Sequence, residues 1–183
     1  MVINGKLSGT TVDLRPADAG DAEFTIKLRQ DPVITRFLPR VEHSITDQIA
    51  WINTSRKKDN EYFFVICNKQ GERLGTISIY DIDGDHAESG RLASFGNPIE
   101  NMEAILLNMD FAFNRLGLEY VLANTMVQNV KVVKINEKFG TVFTGKHTDE
   151  RGFEVVHGRL YKDVFNQHMP DIQNLINKAA KAI

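Results

Sequence analysis

A single cysteine in 183 residues cannot close an internal disulfide, so nothing here asks for an oxidising compartment. The five histidines fall at no metal-ligand spacing, and no metal is expected. Gly-x-Ser-x-Gly and the Walker loop are both missing, which argues against elbow-type hydrolases and nucleotide triphosphatases. There is no surplus of positive charge either. Twenty-two basic residues face twenty-four acidic ones, and a net charge of −2 draws in neither nucleic acid nor anionic lipid. The longest apolar runs, such as Phe63 to Cys67, fall far short of the ~20 residues that span a bilayer. The start MVINGKLSG lacks the basic-then-apolar pattern of an export signal. The expectation is a soluble, cytoplasmic protein with no nucleic-acid and no membrane partner.

What is present is ordinary globular composition, 42% hydrophobic and 25% charged, able to fill one core. One domain over residues 1–183 follows, with no repeat or linker. Thr11 to Leu14 alternates like a strand, and Asp18 can cap a helix to about Arg29 that Asp31-Pro32 ends. Ser44 or Thr46 can cap a second helix. Tyr62 to Cys67, Leu74 to Tyr80 and Ala87 to Ser94 read as three strands joined by polar turns at Lys69 to Glu72 and Asp81 to Asp85. From Met102, apolar residues recur at helical spacing on a broad stripe until Gly117. Tyr120 to Val127 reads as a strand, and Asn129 as the N-cap of a helix through Phe139 that Gly140 stops. A final strand pair, near Thr141 to Phe143 and Glu154 to Tyr161, frames the turn His147 to Gly152. The tail 171–183 reads as an amphipathic helix added outside the core. Cys67 ends an apolar strand and is expected to be a buried, inert thiol.

In the run from Ala104 to Gly140, the order long helix, Gly break, strand, Asn-opened helix, Phe-Gly resembles the second half of a GNAT acyl-coenzyme A N-acyltransferase. The preceding segment His86 to Ser94 resembles the family's fourth strand. Leu14-Arg15-Pro16, Leu28 to Pro32 and Thr46-x-Gln48-x-x-Trp51 extend the likeness over roughly Leu14 to Tyr161. The resemblance implies a mixed α/β fold: a central, mostly antiparallel sheet splayed in the middle and flanked by helices. It also implies acetyl-coenzyme A as cosubstrate and direct attack of an amine on the thioester, and it admits a homodimer.

The resemblance carries residue roles as well. Glu88 matches the position of the general base, with burial among Tyr80 and Phe63 expected to raise its pKa; otherwise it is an edge-strand carboxylate in solvent, and the Asp81, Asp83, Asp85 run could serve through water instead. Leu92, Ala93 and Ser94 match the strand along which the pantetheine arm lies. Gly96, Asn97, Asn101 and Met102 match the pyrophosphate loop and helix start, but Asn97, Ile99 and Asn101 stand where small residues are usual and Glu100 adds a carboxylate. Asn129 matches the amide that holds the pantetheine. Asn136 stands where many relatives have a Tyr that protonates the thiolate. Lys134, with Lys131 and Lys138, could meet the ribose phosphate or form a solvated face. On the acceptor side, Arg29, Arg36 and Arg40 could pair with a diphosphate, while Phe37, Trp51 and Tyr80 offer stacking faces; the alternative is a core Trp and surface arginines. The segment resembles amino-sugar nucleotide N-acetyltransferases and, more loosely, ribosomal-protein N-terminal acetyltransferases. A non-catalytic binding module of the same fold is the remaining alternative.

Overall fold

The computed structural model describes residues 1–38, 42 and 44–181. Strands β1 (Leu7–Ser8) and β2 (Val12–Pro16) open the chain, followed by a 3₁₀ turn (Ala19–Asp21) and helix α1 (Ala22–Gln30). Asp18 does cap, but it caps the 3₁₀ turn, in a capping box with Asp21. Helix α2 (Ile45–Ser55) starts from Ser44, whose hydroxyl accepts from the Asp47 N–H. Then come β3 (Tyr62–Asn68), β4 (Arg73–Asp83) and β5 (His86–Ser94). β4 runs on through Asp83, so the expected five-residue turn shrinks to Gly84-Asp85, with Asp81 at φ 51° in a bulge.

Helix α3 (Pro98–Asp110) begins a turn earlier than its apolar stripe because Asn97 caps it and Pro98 occupies its first position. It continues as a π turn over Phe111–Arg115, and Gly117 follows at φ 76°. The strand expected from Tyr120 to Val127 is broken into β6 (Tyr120–Leu122) and β7 (Thr125–Met126). Helix α4 (Val130–Lys138) leads to the hairpin β8 (Val142–Thr148) and β9 (Glu154–Tyr161), and α5 (Lys162–Ala180) closes the chain.

The nine strands form one sheet in the order β1-β2-β3-β4-β5-β6-β9-β7, with β8 on the other side of β9. Every pairing is antiparallel except β5 with β6. Alternation along β3 shows how the faces divide. Phe64 and Ile66 point to the core under α3 and α5, while Val65 and Cys67 point to the smaller core under α1 and α2. Cys67 is buried, as expected.

The tail is not an addition outside the core. α5 starts nine residues ahead of Asp171 and buries Phe165, Ile172 and Ile176 in the main cluster, where each is worth roughly 1.5–3 kcal/mol. Pro170 suggests a helix beginning after it, yet it lies inside α5. Phe139, at the end of α4, stacks on Phe165, and Gly140, at φ 91°, passes so near α5 that a Cβ would clash with Val164.

Candidate active site

β5 and β6 pair only through His86–Tyr120, Ala87–Val121 and Glu88–Leu122. Beyond Glu88 the strands part. β5 continues on β4 alone, and the opposite wall passes to residues 123–126 and to Asn129, Val132 and Asn136, one face of α4. Between them lies a cleft of about 590 Å³. The edge of β5 from Ser89 onward therefore offers backbone donors and acceptors with no strand to receive them. The β4–β5 register also slips between Thr76 and Ser78, which puts Arg91 at φ 54°. A non-glycine residue held there is strained by its own Cβ, and such strain is concentrated at functional sites.

Glu88 stands where the splay begins. The Tyr80 hydroxyl donates to its Oε1 at 2.6 Å, and Asn124 Nδ2 donates to its Oε2 at 3.2 Å. Burial first, and the neighbouring carboxylate second, raise the Tyr80 phenol far above its ordinary pKa. It stays protonated and serves as a donor. Gly90 permits the arrangement, since a Cβ there would lie 2.9 Å from the Tyr80 hydroxyl.

The acceptor side is cationic and aromatic. The Arg91 guanidinium lies 4.2 Å from the Tyr80 ring centroid and 5.7 Å from that of Trp51, with Glu61 Oε2 at 3.6 Å. Trp51 meets Phe63 edge-on at 5.1 Å. Arg29 lines the same cleft, and burial, then the charge of Arg91, lower its pKa. All four residues expected on this side, Arg29, Phe37, Trp51 and Tyr80, line the cleft together. Arg36 is exposed beside Phe37, and Arg40 lies outside the described residues. Among the described residues lining the cleft, the charged ones are Arg29, Arg91 and Arg151, with no Asp or Glu.

The expected cofactor residues divide. Leu92 and Asn129 line the cleft. Asn129 occupies the N-cap position of α4 but its side chain makes no capping hydrogen bond, which corrects that part of the sequence expectation. Asn136 also faces the cleft, 7% exposed. Ala93 and Met102 are instead buried and contribute packing, and Lys134 is exposed with Lys131 and Lys138.

The start of α3 is already saturated. The Gly96 N–H donates to Ser94 Oγ, the Asn97 N–H to Glu100 Oε2, and the Ile99 and Glu100 N–H groups to Asn97 Oδ1. Asn101 Nδ2 donates to the Gly96 carbonyl. A pyrophosphate here must displace the Asn97 and Glu100 side chains, whereas a pantetheine arm meets open amide edges along β5 and at Asn129. The residues present thus fit the arm directly and the phosphates only after the cap opens.

Arg91, Asn124 and His157 escape sequence reasoning. Arg91 reaches the site through a bulge and Asn124 through the break between β6 and β7, while His157, exposed on β9, meets Asn124 without lining the cleft; no local pattern marks any of them.

Residues 11–142 match the family model described as an acetyltransferase (GNAT) domain. A probable N-acetyltransferase of Bacillus subtilis, YjcK, is 27% identical over 150 residues, 73% of this chain and 82% of that protein. Among solved structures, apo FdhC, described as a nucleotide-linked sugar GNAT, aligns at TM-score 0.78 and 22% identity, covering 92% of this chain and 97% of that one. Spermidine N-acetyltransferase from Vibrio cholerae, in complex with CoA and spermine, aligns at TM-score 0.76 and 20% identity over 85% and 98%. Among the described residues no helix is long and apolar enough to cross a membrane, and no three potential ligands cluster for a metal.

Proposed function

The chain belongs to the GNAT acetyltransferase family, and from that premise we propose that this acetyl-coenzyme A-dependent N-acetyltransferase acts on an anionic amine, specifically an amino-sugar nucleotide. The observation that carries the reading is the pair Arg29 and Arg91 in one cleft with Trp51 and Tyr80. Two guanidiniums lining one cleft, with burial and then the charge of Arg91 lowering the Arg29 pKa, suit an anionic acceptor, and a diphosphate can meet them in bidentate geometry. The aromatic faces suit a sugar or base. The sugar-nucleotide GNAT among the structural neighbours supports this reading. A polyamine would meet repulsion in such a cleft. A peptide N-terminus, the other reading of the sequence, would ask for a polar or acidic groove, and the charged lining is cationic.

Acetyl-coenzyme A supplies an activated acyl thioester. Glu88 takes a proton from the acceptor ammonium and so frees the lone pair for attack. Backbone N–H groups at the open β5 edge are aimed where carbonyl charge develops. Arg29 and Arg91 hold the anionic end of the acceptor, and Asn129 holds the pantetheine amides. Asn136 cannot release a proton itself; its amide would hold a water that relays to the leaving sulfur the proton shed by the attacking nitrogen as the amide forms.

Thiol release from acetyl-coenzyme A tests this with three amines: a uridine-diphosphate amino sugar, the same amino sugar without its nucleotide, and spermidine. Turnover at low KM is expected for the first alone, with Arg91→Ala raising that KM about 10-fold or more. Preference for spermidine overturns the assignment.

A further inference from the structure

A continuous hydrogen-bonded chain leaves Glu88 on the side away from Tyr80. Asn124 Nδ2 meets Glu88 Oε2 at 3.2 Å, His157 Nδ1 lies 3.1 Å from Asn124 Oδ1, and His147 Nδ1 lies 2.9 Å from His157 Nε2. The two imidazoles also stack at 4.6 Å. Proton logic runs outward from the carboxylate. A carboxylate only accepts, so the Asn124 amide must turn its NH₂ to Glu88 and its carbonyl to His157. That carbonyl needs a donor, so His157 carries its proton on Nδ1. Its bare Nε2 then accepts from His147, which must also be protonated on Nδ1. One charge thereby sets an amide orientation and two tautomers.

Local structure explains why these residues meet. Asn124 falls in the gap between β6 and β7, where Ala123 N–H reaches the Gly158 carbonyl and pairing resumes at Thr125–Val156. A residue in such a gap can turn toward β5. The register slip at Gly145, φ 69°, brings His147 opposite Val155, on the face that His157 shares.

We propose that Asn124, locked by the His157–His147 pair, is a positioning residue that holds Glu88 toward the acceptor amine. The inference rests on Glu88 as the base. Tyr80 alone fixes one oxygen and leaves the carboxylate free to rotate about it; the Asn124 bond fixes the second. The histidines prevent Asn124 from flipping, which would aim its carbonyl at Glu88 and push the carboxylate away.

Two arms test it. On ¹⁵N-histidine-labelled protein near pH 8, long-range ¹H–¹⁵N correlation should find both histidines protonated on Nδ1; an Nε2–H tautomer at His157 overturns the chain. In thiol-release assays with a uridine-diphosphate amino sugar, Asn124→Leu and His157→Phe should each lower kcat about 10-fold or more, with the KM for acetyl-coenzyme A unchanged. His157→Gln, whose amide can still donate to Asn124, should recover most of that loss, which a merely structural role does not predict. Full kcat in Asn124→Leu and His157→Phe, with Glu88→Gln inactive, overturns the positioning role alone. Full kcat in Glu88→Gln overturns the base assignment and the positioning role together.

Discussion

The Tyr80 hydroxyl lies 2.6 Å from Glu88 Oε1, which makes phenol and carboxylate one unit at the point where β5 leaves β6. The pairing Tyr80↔Glu88 across the β4–β5 hairpin puts both side chains on one sheet face, and Gly90 gives the ring room to lie there. The carboxylate, bonded to the cleft-lining residues Tyr80 and Asn124 but not itself among the lining residues, is therefore held at the start of the splay by a phenol whose pKa is raised.

Glu88→Gln should preserve cofactor binding and lower turnover roughly 10²-fold, because the amide cannot take the ammonium proton. Tyr80→Phe should have a smaller effect on rate. The sign of the Tyr80 shift also fixes what pH cannot do. Burial and the carboxylate raise that phenol above its ordinary pKa, so no alkaline loss of activity across roughly pH 6–9 comes from its ionisation. Matching alkaline limbs for wild type and Tyr80→Phe would agree; an alkaline limb abolished in Tyr80→Phe would contradict it.

Sequence and structure agree where periodicity carries the information. The three hairpin-linked strands, the long apolar helix and the Asn129-opened helix are all legible because burial imposes their patterns over many residues. Phe37, Trp51, Arg29 and Tyr80 line one cleft. What stays hidden are single-residue events. The bulge that turns Arg91 inward, the gap that exposes Asn124 and the π turn after Asp110 are set by register against neighbouring strands and helices, not by local preference. The tail helix, expected from Asp171, instead begins at Lys162, and Pro170 lies inside it. The saturated cap at Asn97 is a different case: its capping-box pattern, Asn97 followed three residues on by Glu100, is visible in the sequence, but the consequence for a phosphate emerges only from the bonds.

Glu100→Gln should tighten coenzyme A binding. Glu100 Oε2 accepts from the Asn97 N–H at 2.7 Å and places a negative charge at the helix start that a pyrophosphate would occupy. Removing the charge relieves repulsion worth about 0.3–1 kcal/mol, so a gain of roughly 2–5-fold in affinity is expected, with a slight loss of thermal stability from the weaker cap. Calorimetry with coenzyme A and a melting curve read the two effects separately. Unchanged affinity would mean the phosphates do not approach α3.

Glu103→Ala should destabilise the fold without touching catalysis. Its fully buried carboxylate accepts from the Thr10, Thr11 and Val12 N–H groups and from the Thr11 hydroxyl, fastening the β1–β2 hairpin to α3. Loss of the acceptor leaves the buried Val12 N–H unsatisfied, while water can reach the more exposed Thr10. The expected cost is about 2–4 kcal/mol, measurable by urea unfolding at constant m-value. A change under about 0.5 kcal/mol would show that water replaces the carboxylate throughout.

Asn136 separates two routes for the leaving proton. It is 7% exposed and lines the cleft on α4, so a larger side chain has cleft volume to extend into. Asn136→Tyr should keep the fold, since the new ring takes cleft volume and leaves the packing of Phe139 on Phe165 alone. The phenol can deliver a proton directly, so turnover should match or exceed that of the native enzyme. Asn136→Ala removes the water-holding amide with nothing in exchange, and kcat should fall several-fold while the KM for acetyl-coenzyme A holds. Circular dichroism separates a folding defect from a chemical one. A drop in Asn136→Tyr with full activity in Asn136→Ala would mean the position supplies space, not a proton path.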